Sequence, residues 1–134
     1  MGYLIDSDVL IEMERGNFPF QKLVKGKEDE ELFLSVISAS ELLHGVNRAK
    51  KPENRMKRSS FVEALLDSIP TLTIDLPVAR IHSKLCAEIN KNKVPIEIHD
   101  TWIAASCIAN GLTLITRNKR HFEKIPGLSF ETIE

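Results

Sequence analysis

The chain has 134 residues, with 18 lysines and arginines against 19 aspartates and glutamates, and 43% of the residues are hydrophobic. This length and balance predict a single domain over residues 1–134 with a core that needs no disulfide or metal, and they exclude a disordered chain. Cys86 and Cys107 lack the spacing of a zinc site. No apolar run is long enough to span a membrane and no signal peptide is predicted, so a soluble cytoplasmic protein is expected.

Short apolar runs alternate with helical patterns along the whole chain. Strands are predicted near residues 3–5, 32–34, 72–74, 112–115 and 128–130. Helices are predicted over residues 7–14, 18–25, 38–48, 52–68, 77–91, around 102–110 and near 121–122. Strands that alternate with helices are typical of an α/β fold with a mostly parallel sheet and helices on both faces.

Two of the helices are predicted to form a hairpin, an arm over about residues 38–68. Ser38 and Glu41 have the spacing of a capping box, in which each side chain bonds a backbone N–H of the first turn. Pro52 begins the second helix. Its apolar residues, expected to face the core, are Met56, Phe61, Leu65 and Leu66.

Polar side chains interrupt the apolar runs at four places. Asp6 and Asn118 each follow a predicted strand, whereas Glu41 and Asp100 are placed where helices begin. Because the carboxyl ends of parallel strands share one edge of a sheet, these residues are expected to meet in one pocket. Three carboxylates without a lysine or arginine among them favour a divalent cation.

Each of these residues also has a purely structural explanation. Asp6 and Asp100 could be helix N-caps, and Glu41 could serve only the capping box. Asn118 could be a turn residue after its strand. Asp8 adds a second carboxylate beside Asp6, or only interacts favourably with the helix dipole.

The segment between His44 and Ser60 is strongly basic. Its cations, against the single Glu53, are Arg48, Lys50, Lys51, Arg55, Lys57 and Arg58. They could form the solvated face of the hairpin, or they could neutralise nucleic-acid phosphates without reading a base sequence.

The acidic set suits phosphodiester cleavage. That reaction needs an activated water, neutralised phosphate charge and a stabilised leaving oxygen, all of which Mg²⁺ or Mn²⁺ can supply. Asp6 and Asp100 are suited to coordination, and Glu41 to orienting or deprotonating the water. Asn118 would supply a neutral oxygen or bind water, and Thr116 and Asp8 are secondary candidates.

Four segments, in order, resemble the successive motifs of the PIN-domain family, most closely its VapC-type toxins. They are LIDSDVLI at 4–11, SELLHG at 40–45, DTWIAA at 100–105 and TRNKRHF at 116–122. The resemblance implies a three-layer α/β/α fold and an endoribonuclease that depends on Mg²⁺ or Mn²⁺. It also implies a homodimer and a cognate antitoxin that blocks the acidic pocket.

The resemblance also implies roles for individual residues. The acidic triad of the family is matched by Asp6, Glu41 and Asp100. Asn118 stands where many members have aspartate. This asparagine removes one negative charge, which affects whether a second metal ion could bind. The basic arm would lie beside the active-site groove. Candidates for contact with RNA or antitoxin are Arg48, Lys50, Lys51, Arg55 and Arg117.

Two rival interpretations can be weighed on the same residues. Residues 4–9 also resemble the strand-end motif of haloacid-dehalogenase-type phosphatases, but that fold needs a paired aspartate motif after a later strand. Here residues 112–115 are followed by Thr-Arg-Asn instead. The second rival is a non-catalytic module of the same fold, in which the acids cap helices and the basic arm binds nucleic acid or a partner.

Overall fold

The computed structural model describes residues 2–17 and 19–133, in which strands and helices alternate. The strands are β1 (Gly2–Ile5), β2 (Glu31–Ser35), β3 (Thr71–Leu72), β4 (Leu112–Thr116) and β5 (Phe130–Thr132). The helices are α1 (Ser7–Glu14), α2 (Phe20–Val24), α3 (Val36–Arg48), α4 (Pro52–Ser68), α5 (Leu76–Lys91), α6 (Ile98–Asn110) and α7 (Lys119–Phe122). No helix within this described part is long and apolar enough to cross a membrane.

The five strands form one sheet in the order β3-β2-β1-β4-β5, and every neighbouring pair is parallel. The central strand β1 pairs Leu4 with Phe33 on one side and with Leu114 on the other. The carboxyl ends of all strands therefore lie along one edge of the sheet, and the residues that follow β1 and β4 are neighbours at this carboxyl edge. The prediction of a mostly parallel α/β sheet is confirmed.

Helices cover both faces of this sheet because consecutive strand residues point to opposite sides. Ile5 and Ile115 are buried in one core with residues of α1, α2, α3 and α4. Leu4 and Leu114 are buried in a second core with residues of α5, α6 and α7. The architecture is the three-layer α/β/α sandwich that the resemblance implied.

Several predicted elements differ in extent from those observed. The edge strand β3 ends at Leu72, and β5 begins at Phe130, after Leu128. Met56 was expected in the core but is 72% exposed, because α4 first contributes a buried residue at Val62. The first turns of α4 therefore project beyond the core. The predicted start of the second helix, Phe18, lies outside the described residues.

The capping box at the start of α3 is a wrong prediction. The helix begins directly after β2, and the N-cap is Ser35, whose Oγ accepts a hydrogen bond from the Ile37 N–H at 3.0 Å. Ser38 lies inside the helix and is completely buried, and its Oγ has no partner among the described residues. Glu41 is thus in the second turn, free of any capping role.

Alanine substitutions at these two serines should have opposite effects on stability. Ser35→Ala removes the cap and is expected to lower the free energy of unfolding by about 1 kcal/mol. Ser38→Ala removes a buried, unpaired hydroxyl and is expected to raise it by about 1 kcal/mol. Urea unfolding measures the free energy of unfolding of both variants. A lower free energy of unfolding for Ser38→Ala would contradict this assignment and support Ser38 as the helix cap.

Candidate active site

Asp6 lies at the end of the central strand and is buried. Its N–H donates to the Ile115 carbonyl at 2.9 Å, which extends the β1–β4 pairing by one residue. Although Asp6 occupies the N-cap position of α1, its side chain makes no capping bond. The carboxylate instead accepts a 2.8 Å hydrogen bond from Thr116 Oγ1, 110 residues away. The side chain is therefore directed to the edge of the sheet rather than to its own helix.

Asp8, in the first turn of α1, extends this network to Asn118. Its Oδ2 accepts from Asn118 Nδ2 at 2.8 Å and from the Arg117 N–H at 3.2 Å. The Asn118 N–H donates to Thr116 Oγ1 at 3.0 Å. The structure thus brings the β1 and β4 ends together through four polar residues. In this arrangement Asn118 holds Asp8 in place.

Glu41 and Asp100 approach the same edge from α3 and α6, and both are partly buried. Charge repulsion from Asp6 acts on each of them, and Asp100 also repels Glu41. Asp100 is not an N-cap, because that position is Glu97. Asp100 Oδ2 lies 3.0 Å from Nδ1 of His121, which is exposed. Asp6, Asp8, Glu41 and Asp100 therefore lie near the same edge of the sheet, where their charges act on one another.

The carboxyl groups of this cluster hold their protons more tightly than usual. Burial is the main cause that raises the pKa of Asp6, against hydrogen bonds from Thr116 and Ser7 that lower it. Burial, followed by the charge of Asp6, raises the pKa of Asp8 to about 7. Burial and neighbouring carboxylates likewise raise the pKa of Glu41 and of Asp100. A cluster of this kind is stabilised when a cation neutralises it.

The donor set fits a hard divalent cation. Every acid of the cluster offers oxygen, the ligand that Mg²⁺ and Mn²⁺ prefer. Asp8 Oδ1 is buried and has no hydrogen-bond partner among the described residues, so it is free to accept one. Within residues 2–17 and 19–133, no three acidic, histidine or cysteine side chains already stand as a complete metal site.

The side chains of the basic residues predicted to contact RNA or antitoxin make no ion pair with the acids of this cluster among the described residues. Lys50 and Lys51 are exposed in the turn between α3 and α4, and Arg55 Nη2 donates to the Ala49 carbonyl across that turn at 2.9 Å. The Arg117 guanidinium lies 3.6 Å from Glu12 Oε1. Arg48 lines a small cavity that Glu41 also lines.

Two residues near the cluster were not predicted as site residues. Ser7 lies near Glu41, and its hydroxyl group lowers the pKa of that carboxyl group. His121 approaches Asp100 because α7 starts directly after Asn118. His121 belongs to the last of the four motifs, three residues after Asn118. Only the fold shows that it faces Asp100.

Thr116→Val tests whether the bond to Asp6 positions that carboxylate. The valine keeps the shape of the side chain but removes the donor to Asp6 and the acceptor of the Asn118 N–H, so the pKa of Asp6 should rise further. Loss of a residue that orients a metal ligand typically costs about 10- to 100-fold in activity. For the metal-dependent RNA cleavage that the four motifs predict, we expect such a fall, with Thr113→Val in the same strand as the control. Equal activity of the two variants would contradict the role.

Comparison with known proteins places these residues in a family. The model of the PIN domain matches residues 3–128. The chain belongs to the PIN-domain family. This PIN-domain protein is 29% identical to ribonuclease VapC1 of Rickettsia felis, covering 99% of this chain and 97% of that one. It is 30% identical to the tRNA(fMet)-specific endonuclease VapC of Salmonella typhimurium, covering 73% of this chain and 72% of that one.

Solved structures agree on the fold of this PIN-domain protein. VapBC2 from Rickettsia felis, bound to a DNA fragment from its promoter, has a TM-score of 0.91 at 22% identity and full coverage of both chains, 100% each. DNA-bound VapBC from Salmonella typhimurium has a TM-score of 0.87 at 23% identity, over 98% of each chain. The resemblance drawn from the four motifs is confirmed.

Proposed function

We propose that this PIN-domain protein is an endoribonuclease that depends on Mg²⁺ or Mn²⁺ and acts as the toxin of a toxin–antitoxin pair. The observation that carries the proposal is that one buried and three partly buried carboxylates, all with raised pKa values, lie near one sheet edge. The names of its relatives, ribonuclease VapC1 and a tRNA(fMet)-specific endonuclease, support RNA as the substrate. Its structural neighbours, which are VapBC complexes, support a cognate antitoxin as partner.

Asp6 and Asp100 are the residues that would hold the cation, with Asp8 adding a further oxygen. When bound, the cation neutralises the charge of the phosphodiester and makes water a stronger nucleophile. Thr116 keeps Asp6 directed to the sheet edge, and Asn118 does the same for Asp8. Pre-oriented ligands of this kind reduce the rearrangement needed in the reaction.

Glu41 is the proposed proton acceptor for the attacking water. It lies in the second turn of α3, where Ser35 is the cap, so its carboxylate has no capping role. Its raised pKa improves it as a base near neutral pH. Asn118 contributes no charge, and its amide nitrogen donates a hydrogen bond to Asp8.

The non-catalytic alternative is not favoured. It requires the acids to serve as helix caps, whereas Asp6 makes no capping bond and Asp100 is not at a cap position. We further propose that residues 1–134 form a single PIN domain with an arm over about 38–68. The domain would act in the cytoplasm as a homodimer that the antitoxin inhibits.

Incubating the purified protein with a panel of RNAs, with Mg²⁺, with Mn²⁺ or with a chelator, tests the enzymatic proposal. Cleavage is expected with either cation and should stop on chelation. Growth arrest on expression, relieved by the product of an adjacent short reading frame that co-purifies with the chain, tests the toxin role. Cation-independent cleavage, or no cleavage at all, would contradict the enzymatic proposal.

A further inference from the structure

The first turn of α6 carries Asp100 but has no cap of its own. Its N-cap residue, Glu97, makes no side-chain hydrogen bond to the turn. Ile98 and His99, the first two residues of the helix, are exposed to solvent. Residues 92–97, which precede the helix, form neither a helix nor a strand. The position of this turn therefore depends on contacts made by the residues that follow Asp100.

His82 of α5 forms a hydrogen bond with the residue directly after Asp100. His82 Nε2 lies 2.9 Å from Thr101 Oγ1, and both side chains are buried. The Thr101 hydroxyl donates its only proton to the Ile98 carbonyl, 2.6 Å away, so it accepts from His82. Burial lowers the pKa of His82 and so favours the neutral ring, which carries one proton. That proton is therefore on Nε2.

The imidazole ring of His82 also stacks on Trp102, the second residue after Asp100. The ring centroids are 3.5 Å apart and the ring planes differ by 3°. Stacked aromatic rings attract one another, and this stack keeps the imidazole plane in one orientation. The Cys86 thiol, one turn further along α5, lies 3.5 Å from Nε2 and 3.7 Å from Nδ1. His82 is thus in contact with neighbours on both helices.

Packing alone does not require a histidine at position 82. Leu85 and Ile89 of α5 and Ile103 of α6 are buried in the same apolar core. Burying an imidazole costs free energy unless it is hydrogen-bonded, and apolar contacts would hold the two helices together without that cost. Apolar contacts are non-directional, whereas a hydrogen bond fixes a distance and an angle. The bond from His82 therefore fixes the height and rotation of α6 at the residue next to Asp100.

We propose that His82 is a positioning residue for Asp100. Because it holds Thr101 and Trp102 against α5, it keeps the turn before them, and with it the Asp100 carboxylate, at the sheet edge. The inference rests on the proposed function and deepens it, because it assigns a residue that acts on a cation ligand through the backbone of α6. His82 touches neither the cation nor the substrate. Its removal should therefore change the affinity for the cation and kcat but not the binding of RNA.

Two pairs of variants separate the hydrogen bond from the packing. His82→Phe keeps a ring against Trp102 but removes the N–H, whereas His82→Gln keeps an N–H at a similar reach. Thr101→Val removes the hydroxyl at nearly constant shape, whereas Thr101→Ser retains it. The control is Ile89→Val, which loosens the same core from α5 but leaves the bond in place. The Thr101 pair decides the question should His82→Phe fail to fold.

Binding of Mn²⁺ is measured first, without RNA, from the electron paramagnetic resonance signal of the free ion. His82→Phe and Thr101→Val should bind Mn²⁺ about 10-fold more weakly, since loss of a group that orients a metal ligand costs about 10- to 100-fold. His82→Gln, Thr101→Ser and Ile89→Val should stay within about 3-fold of the unmodified protein, because each keeps a donor and an acceptor.

Two further measurements follow the bond itself and its effect on cleavage. In the metal-free protein, long-range ¹H–¹⁵N spectra locate the proton of His82, which we expect on Nε2; a proton on Nδ1 would contradict the bond to Thr101. With Mn²⁺ saturating each variant, His82→Phe and Thr101→Val should lower kcat about 10-fold while KM for RNA changes by less than about 2-fold. All variants are assayed well below the lowest melting temperature among them.

These results distinguish failure of the positioning role from failure of the nuclease proposal. Active enzyme with Mn²⁺ affinity and kcat unchanged in His82→Phe and Thr101→Val would overturn the positioning role alone. Equal losses in these variants and in Ile89→Val would also overturn it, because packing would then explain them. No cleavage by the unmodified protein, with Mn²⁺ binding that still depends on the bond, would overturn the nuclease proposal alone. No Mn²⁺ binding by the unmodified protein would overturn both.

Discussion

Replacing Asp6 by asparagine is expected to lower the rate of metal-stimulated RNA cleavage by at least about 100-fold, and Asp100→Asn should do the same. Each substitution removes a charged oxygen from the proposed cation site while keeping the size of the side chain. A cation that polarises phosphate and activates water supplies several kcal/mol of transition-state stabilisation, and every 1.36 kcal/mol corresponds to a factor of ten.

The same variants should keep or raise the melting temperature of the metal-free protein. Burial and neighbouring charges disfavour the ionised carboxylates of the cluster, so loss of one charge relieves repulsion. Thr116 Oγ1 can still donate to the carbonyl oxygen of an asparagine at position 6. Activity should therefore fall while the melting temperature is kept or rises. A variant that failed to fold would lose both.

Asp75 offers a matched control for Asp6. It is also an N-cap, of α5, but its carboxylate does cap, accepting from the Val78 N–H at 3.1 Å. Asp75→Asn should leave cleavage within about 2-fold, and Asp75→Ala should lower the free energy of unfolding by about 1 kcal/mol without loss of activity. Cleavage retained in Asp6→Asn, or destabilisation of Asp6→Ala like that of Asp75→Ala, would assign Asp6 to capping instead.

Divalent cations should stabilise the fold, and most strongly above neutral pH. At a Mn²⁺ concentration 100 times the dissociation constant, the free energy of unfolding should rise by about 2.7 kcal/mol. For a domain of this size the melting temperature should rise by roughly 10 °C. Mg²⁺ should act in the same direction.

The pH dependence of the metal-free protein follows from Asp8. Its pKa is about 7 in the folded state against an ordinary value of 3.8, so the folded protein binds this proton more tightly than the unfolded chain does. The contribution of Asp8 to stability in a chelator should therefore be complete below the lower value and be lost as the pH rises through about 7. Above that pH the ionised cluster destabilises the fold, and a bound cation opposes this.

Urea unfolding at pH 5 and pH 8, with chelator or with Mn²⁺, measures both effects. Asp8→Asn should flatten the pH dependence in chelator, because the titrating group is gone. Asp67→Asn, on α4 and away from the sheet edge, is the control for loss of a charge. A stability that increases from pH 5 to pH 8 in chelator would contradict the raised pKa, and the absence of any Mn²⁺ effect would contradict the cation site.

Local signals were sufficient to predict most of the fold. Pro52 begins α4, and Gly111, with a φ of 64°, ends α6, as the conformational restrictions of these two residues require. Asp6 stops an apolar run that is too short for a helix. These signals act within a few residues and are therefore readable from the sequence.

The features that could not be predicted depend on contacts between distant segments. Ser35 and Ser38 both precede helix-forming residues, and only the direct passage of β2 into α3 decides which of them caps. The exposure of Met56 depends on how far the start of α4 extends beyond the core. The pairing of Asn118 with Asp8 and of His121 with Asp100 depends on the parallel register of β1 and β4.

That register also determines when the acidic cluster can form during synthesis. Asp6 leaves the ribosome early, but the residues that orient it, Ile115 and Thr116, belong to a strand made after all four acids of the cluster. Pairings between such distant segments form slowly, because a long loop must close first. A ribosome that stalls before β4 therefore releases a chain with all four carboxylates but without the strand that assembles them, and such a fragment should be harmless to the cell that makes it.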